Sequence, residues 1–108
     1  MSGSLGDMGN LLRQAQEMQR ELDRVKEDLK NHVVEGTAGG GVVRIELTAD
    51  RMEVRRVEIA PEALRQGDAR LVEDLFLTAL RDALRKAEVY ANESMSRITG
   101  GLNLPGFF

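Results

Sequence analysis

The chain has 108 residues, with 15 Lys or Arg against 18 Asp or Glu for a net charge of −3, and 42% hydrophobic residues. That describes one soluble domain with a single modest core, no apolar run near the roughly 20 residues of a membrane span, and no basic-then-apolar leader over Met1–Leu5. Absent cysteine and a lone histidine exclude disulfides, thiolate chemistry and multi-histidine metal sites, so a cytoplasmic protein without a cofactor or metal is expected.

The first predicted element is a helix over residues 7–31, after a flexible stretch at 1–6. Met8, Leu11, Ala15, Met18, Leu22, Val25 and Leu29 recur at spacings of three and four. That is an uninterrupted heptad seam, about two residues in seven, suited to packing on another helix. Asp7 or Asn10 can cap its start. Residues 32–60 read as a sheet. His32–Gly36 is a short β-branched run, and Thr37–Gly41 supplies a turn. Val43, Ile45 and Leu47 alternate with polar residues as in a half-buried strand. Asp50-Arg51 marks a second hairpin turn. Met52 and Val54 have one parity, Val57 and Ile59 the other, so the pattern slips at Arg55-Arg56. That predicts a β-bulge there, or a strand whose second half is apolar on its other side.

Residues 61–99 are predicted helical. Pro61 opens a short turn through Arg65, Gln66-Gly67 breaks it, and Asp68 caps a second long helix. Its apolar stripe, from Leu71 through Leu75, Phe76, Leu80 and Leu84 to Ala87, is wide enough for a helix lying on a sheet. Beyond Ala87 the stripe thins, so the helix is expected to project past the sheet until Gly100-Gly101. Residues 100–108 form an apolar tail that either folds back or docks elsewhere. The fold class is therefore α+β, in the order α-β-β-β-α, with a three-stranded antiparallel meander and two long helices in one domain over 1–108. Two helices this long leave apolar surface that a small sheet cannot cover, which points to a homodimer.

Four stretches carry a family resemblance. They are Met8–Gln19 with its amide-rich helix, Gly36–Ile45 with its glycine turn, Val57–Pro61, and Thr99–Phe107 with Gly-Gly-Leu and Leu-Pro-Gly. In this order and spacing they resemble the YbaB/EbfC family of small bacterial nucleoid-associated proteins. Two positions depart from the family's usual pattern: Ala60 where it has Asp, and Asp50-Arg51 where it often has Asn-Gly. The resemblance implies a tweezer-like homodimer with a joined central sheet and projecting helical arms. It also implies binding to double-stranded DNA with limited sequence preference, at the nucleoid.

An acidic chain can meet phosphate only through local basic patches. The candidates on the first helix are Arg13, Arg20, Arg24, Lys26 and Lys30, interspersed with Glu17, Asp23, Glu27 and Asp28. On the second helix they are Arg81, Arg85, Lys86 and Arg97. Arg55 and Arg56 on the sheet either touch phosphate or pair with Glu46 or Glu53. The glycine turn lacks the Gly-Lys-Ser/Thr and the following helix of a phosphate loop, so it reads as a hairpin. His32 reads as a cap or interface residue. No nucleophile elbow, His-Glu-x-x-His or acid/base pair is present, which makes a non-enzyme with no small-molecule substrate and no membrane partner the expectation. A rival from another class is a protein-interaction adaptor, holdase-like, that grips a partner with its projecting helices.

Overall fold

A computed structural model describes residues 2–65 and 67–99. The Gly100-Gly101 stop and the tail over 100–108 lie outside the described residues. The chain runs α1 (Ser2–Asn31), β1 (Val33–Ala38), β2 (Val43–Thr48), β3 (Val54–Ile59), α2 (Pro61–Arg65) and α3 (Ala69–Thr99). The three strands form one antiparallel sheet in the order β1-β2-β3. The order and meander are as the sequence predicts.

Two boundaries differ from the sequence reading. α1 starts at Ser2 rather than Asp7, so the stretch expected to be flexible continues the helix. β1 continues through Gly36 to Ala38, where the sequence suggested a turn from Thr37. Packing accounts for the second difference: a Cβ at Gly36 would lie 2.1 Å from Ala79 O and 2.3 Å from Ala83 N. Gly36 is thus a mid-strand residue where α3 crosses β1 at backbone contact. The turn proper is Gly39-Gly40-Gly41, with φ of 61°, 71° and 97° and Gly41 N–H donating to Ala38 O at 3.1 Å. Three consecutive left-handed residues explain why glycine fills the turn. As the sequence predicts, α3 starts at Ala69 behind Asp68, whose Oδ1 accepts from Arg70 N–H at 3.1 Å and Leu71 N–H at 3.2 Å, which is an N-cap.

The parity slip in β3 is a bulge. Glu46 pairs with Arg56 while Leu47 pairs with Val54, so Arg55 has no opposite residue. The extra residue brings Val54, Val57 and Ile59 to one face, opposite Leu47, Ile45 and Val43 respectively. α3 covers that face over β1 and β2, burying Val34, Ala38, Val43, Ile45 and Leu47 against Ala79, Ala83 and Ala87. The alanines let the helix sit low on the sheet, and they also keep the core small.

Two interactions seat α3 along the outer edge of β1. Thr37 N–H donates to Asp82 Oδ2 at 3.0 Å, and Lys86 Nζ donates to Glu35 O at 2.9 Å. At about 100° per residue, Leu80 and Leu84 project from roughly the opposite flank of α3, toward β3. β3 itself stays open: Val54 is 56% and Val57 47% exposed, and Phe76, Leu77 and Leu84 on α3 are 37%, 44% and 38% exposed.

Both long helices leave the sheet in the same direction, and the molecule measures 78 × 24 × 16 Å. The far half of α3 packs on the last turns of α1, where Leu22, Val25 and Leu29 are partly covered. The rest of the seam, Met8, Leu11, Ala15 and Met18, is exposed along an α1 that extends beyond α3 as a single arm. Among the described residues no helix is long and apolar enough to cross a membrane.

Candidate nucleic-acid interface

Arg13, Arg20 and Arg24 follow one another at spacings of seven and four, so they fall on one stripe of α1, opposite the apolar seam. Arg13 and Arg20 are exposed and form no ion pair among the described residues; Arg24 pairs with Glu21. Lys26 and Lys30 are exposed on the flank of the same helix, and Arg81 is exposed on α3; none of the three forms an ion pair among the described residues. Arg85 and Lys86 both bind Asp82, at 2.8 and 3.2 Å. Arg97 lines a groove between α1 and α3, together with Arg24, Val25, Asp28, Tyr90 and Ile98.

The sheet arginines are engaged along their own strand. Arg55 lies 3.6 Å from Glu53 and Arg56 lies 3.5 Å from Glu58. Glu53 is one of the partners the sequence suggested; Glu46, directly opposite Arg56, forms no ion pair with either arginine among the described residues. Arg44 takes the cross-strand partner Glu35 at 3.6 Å. Of the candidate cations, Arg13, Arg20, Lys26, Lys30, Arg81 and Arg97 therefore form no ion pair or side-chain hydrogen bond among the described residues. Arg24, Arg55, Arg56, Arg85 and Lys86 are held in surface pairs worth about 0–1 kcal/mol each.

The electrostatics around Asp82 differ in kind. Its carboxyl is held down to about 2, first by the Thr37 N–H and then by Arg85, so it is a fixed anion that ties α3 to the sheet edge. Lys86 is a structural cation here more than a free one, since it bridges Asp82 and a strand carbonyl.

The arm is oriented by a contact that the sequence did not signal. Tyr90 Oη donates to Asp28 Oδ2 at 2.6 Å, and the Tyr90 ring stacks on His32 with centroids 3.7 Å apart and planes 2° from parallel. The sole tyrosine and the sole histidine thus meet where α1 joins the body. The bond to Asp28 pushes the Tyr90 phenol above its usual value. His32, read from the sequence as a cap or interface residue, is engaged within the chain by this stack. Only its position at the end of α1 was visible in the sequence; a contact across 58 residues leaves no local signature. Among the described residues no group of three His, Asp or Glu side chains could hold a metal ion.

The model of the YbaB/EbfC DNA-binding family matches residues 5–102. The chain belongs to the YbaB/EbfC family. Its relatives include a nucleoid-associated protein of Ruminiclostridium cellulolyticum, 43% identical over 104 residues that cover 95% of this chain and 90% of that one. A nucleoid-associated protein of Acetivibrio thermocellus is also 43% identical, over 95% and 91% of the two chains. The solved structure of the uncharacterized protein HP0035 from Helicobacter pylori superimposes with a TM-score of 0.69. It is 22% identical and covers 86% of this chain and 94% of its own, a likeness of fold. The YbaB/EbfC family is one of DNA-binding proteins rather than enzymes.

Proposed function

We propose that this YbaB/EbfC protein is a nucleoid-associated protein that binds double-stranded DNA as a homodimer, through backbone contacts with little sequence specificity, and so organises or bends the duplex. The observation that carries the reading is the arginine stripe on α1. Arg13 and Arg20 face solvent toward the free end of α1, and Arg24 continues the stripe where α3 packs, so the stripe can lie along a phosphate backbone at the cost of one exposed ion pair, Arg24–Glu21. In a dimer the stripe occurs twice, which supports a grip on both sides of a duplex despite a net charge of −3 per chain. The proposed location is the cytoplasm, at the nucleoid.

The dimer reading rests on an asymmetry between the two sheet edges. The β1 edge is already engaged by Asp82 and Lys86. The β3 edge is open, beside an apolar shelf of Val54 and Val57 and the exposed Leu77 and Leu84 of α3. An uncovered edge strand with an apolar face invites a second strand, and a two-fold pairing through β3 would bury the shelf on both copies.

The test is a salt titration of binding to a duplex of about 30 base pairs, followed by fluorescence anisotropy. Three stripe arginines in each of two chains give about six phosphate contacts. That predicts roughly a 10³-fold loss of affinity between 50 and 200 mM salt, alike for unrelated sequences. No complex at low ionic strength would refute the reading. Charge reversal at Arg20, Arg24, Arg81 and Arg85 is expected to weaken binding to every sequence equally.

A second reading, an adaptor that grips a protein partner, is favoured by the open seam on the arm, where Met8 is 59%, Leu11 63% and Leu12 64% exposed. A pull-down with and without nuclease separates the two: partners lost with the nucleic acid support DNA binding, and partners retained support the adaptor.

A further inference from the structure

The β2–β3 turn lies against the base of the α1 arm and is braced more heavily than its exposure requires. Ala49 N–H donates to His32 O at 2.7 Å and Asp50 N–H to Leu29 O at 3.1 Å, which stitches the turn to the end of α1. Within it, Thr48 Oγ1 donates to Asp50 Oδ1 at 2.6 Å and accepts from Glu53 N–H at 3.1 Å. Met52 N–H donates to the same Asp50 oxygen at 3.0 Å, and Arg51 N–H closes the turn on Thr48 O at 2.8 Å. Both bonds to its side chain hold the Asp50 carboxyl below its ordinary value, Thr48 contributing most, and Lys30 adds to the effect.

In this turn Arg51 has a φ of 63°, the one positive value at a non-glycine position among the described residues. Glycine or asparagine takes that conformation at little cost; arginine does so rarely. Its side chain is exposed and makes no hydrogen bond or ion pair among the described residues, so nothing within the chain accounts for arginine there. Asp50 N–H bonds the Leu29 carbonyl, so the turn abuts the last turn of α1, where Lys30 acts on the Asp50 carboxyl; Lys30 and Lys26, one turn further back, are exposed and form no ion pair among the described residues. The one carboxylate of the turn, Asp50, is occupied by its two internal bonds. The strained residue is therefore an exposed cation on a braced backbone, in the turn that abuts the last turn of α1 and its Lys30.

We propose that Arg51, together with Lys30, forms a further contact for the phosphate backbone of duplex DNA at the base of each arm. The proposal rests on the DNA-binding reading above and adds a point of attachment that the α1 stripe does not supply. A guanidinium can grip a phosphate through two parallel N–H bonds, and the braced turn fixes the backbone from which it projects, so that binding orders the side chain alone.

The test compares Arg51→Asn with Arg65→Gln in the full chain. Asparagine adopts the left-handed conformation readily and removes the charge; Arg65, exposed on α2, loses an equal charge away from the arm. R51N is expected to melt at or above the wild-type temperature while binding a duplex of about 30 base pairs roughly 3- to 10-fold more weakly at low salt. Its plot of log affinity against log salt should be shallower by about 1 for each phosphate that the variant no longer neutralises. R65Q should change affinity less than about 2-fold. The proposal is overturned if R51N binds with unaltered affinity and slope, if R65Q weakens binding equally, or if R51N loses affinity only along with thermal stability. A wild-type protein that forms no complex removes the DNA-binding reading and this contact with it; a wild-type complex that R51N leaves intact removes this contact alone.

Discussion

Substituting Gly36 by alanine tests the closest packing in the molecule. The added methyl carbon would stand 2.1 Å from Ala79 O, 2.3 Å from Ala83 N and 2.6 Å from Ala83 Cβ, atoms of a helix backbone that cannot rotate aside. Ordinary contact requires roughly 3.5–4.0 Å, so α3 must lift off β1 by more than about 1 Å. A gap of that size forfeits a quarter to a half of the attraction between each atom pair across the interface, and the interface holds most of the small core. Overpacking with side-chain relief costs about 1–3 kcal/mol; with backbone on both sides, about 3 kcal/mol or more is expected. At roughly 4–8 °C per kcal/mol for a domain of this size, Tm should fall by about 12–24 °C. The assay is thermal denaturation by circular dichroism at matched protein concentrations, because dimerisation would make Tm depend on concentration. Gly40→Ala is the internal comparison: the same methyl meets nothing within 4 Å but must accept a φ of 71°, so about 1 kcal/mol is expected. A G36A protein melting within a few degrees of wild type, or no lower than G40A, would refute the packing argument.

Asp82→Asn should cost about 1.5–3 kcal/mol by weakening charge-assisted bonds to Thr37, Arg85 and Lys86. Because the folded carboxyl sits at about 2 against an ordinary 3.8, its stabilisation is present above the ordinary value and is lost as pH falls from there through 2. Melting between pH 5 and pH 2 should therefore fall less steeply in D82N than in wild type. Tyr90→Phe keeps the ring on His32 and deletes the bond to Asp28; a loss of about 1 kcal/mol is expected by chemical denaturation, with Tyr90→Leu costing more. Val57→Asp places a charge on the β3 shelf, and the variant should sediment as a folded single chain and bind duplex far more weakly than wild type.

The order of elements is legible in the sequence because each has a periodic signature of its own: a heptad seam, a two-residue alternation, and a broad helical stripe. Even the bulge at Arg55 is visible there, since a slip in parity is a one-dimensional trace of an extra residue. Gly36 reads as the edge of a turn because glycine in a strand and glycine in a loop look alike until the helix that needs the space is in place. Candidate cations can be enumerated from composition. Their engagement cannot, because Asp82 reaches a strand 45 residues away and only the folded chain reveals that Lys86 is committed while Arg81 forms no ion pair among the described residues. The Tyr90–Asp28–His32 cluster is invisible for the same reason, since it depends on where two distant segments meet, whereas the turn at Asp50-Arg51 is legible and only the left-handed φ of Arg51 is not.

Sedimentation equilibrium of the wild-type protein at micromolar concentration bears most directly on the whole scheme, since the two-sided grip and the burial of the β3 shelf both require two copies. The expected result is a single species of twice the chain mass, stable to dilution through the low micromolar range. A well-folded species of one chain mass under those conditions would contradict the scheme.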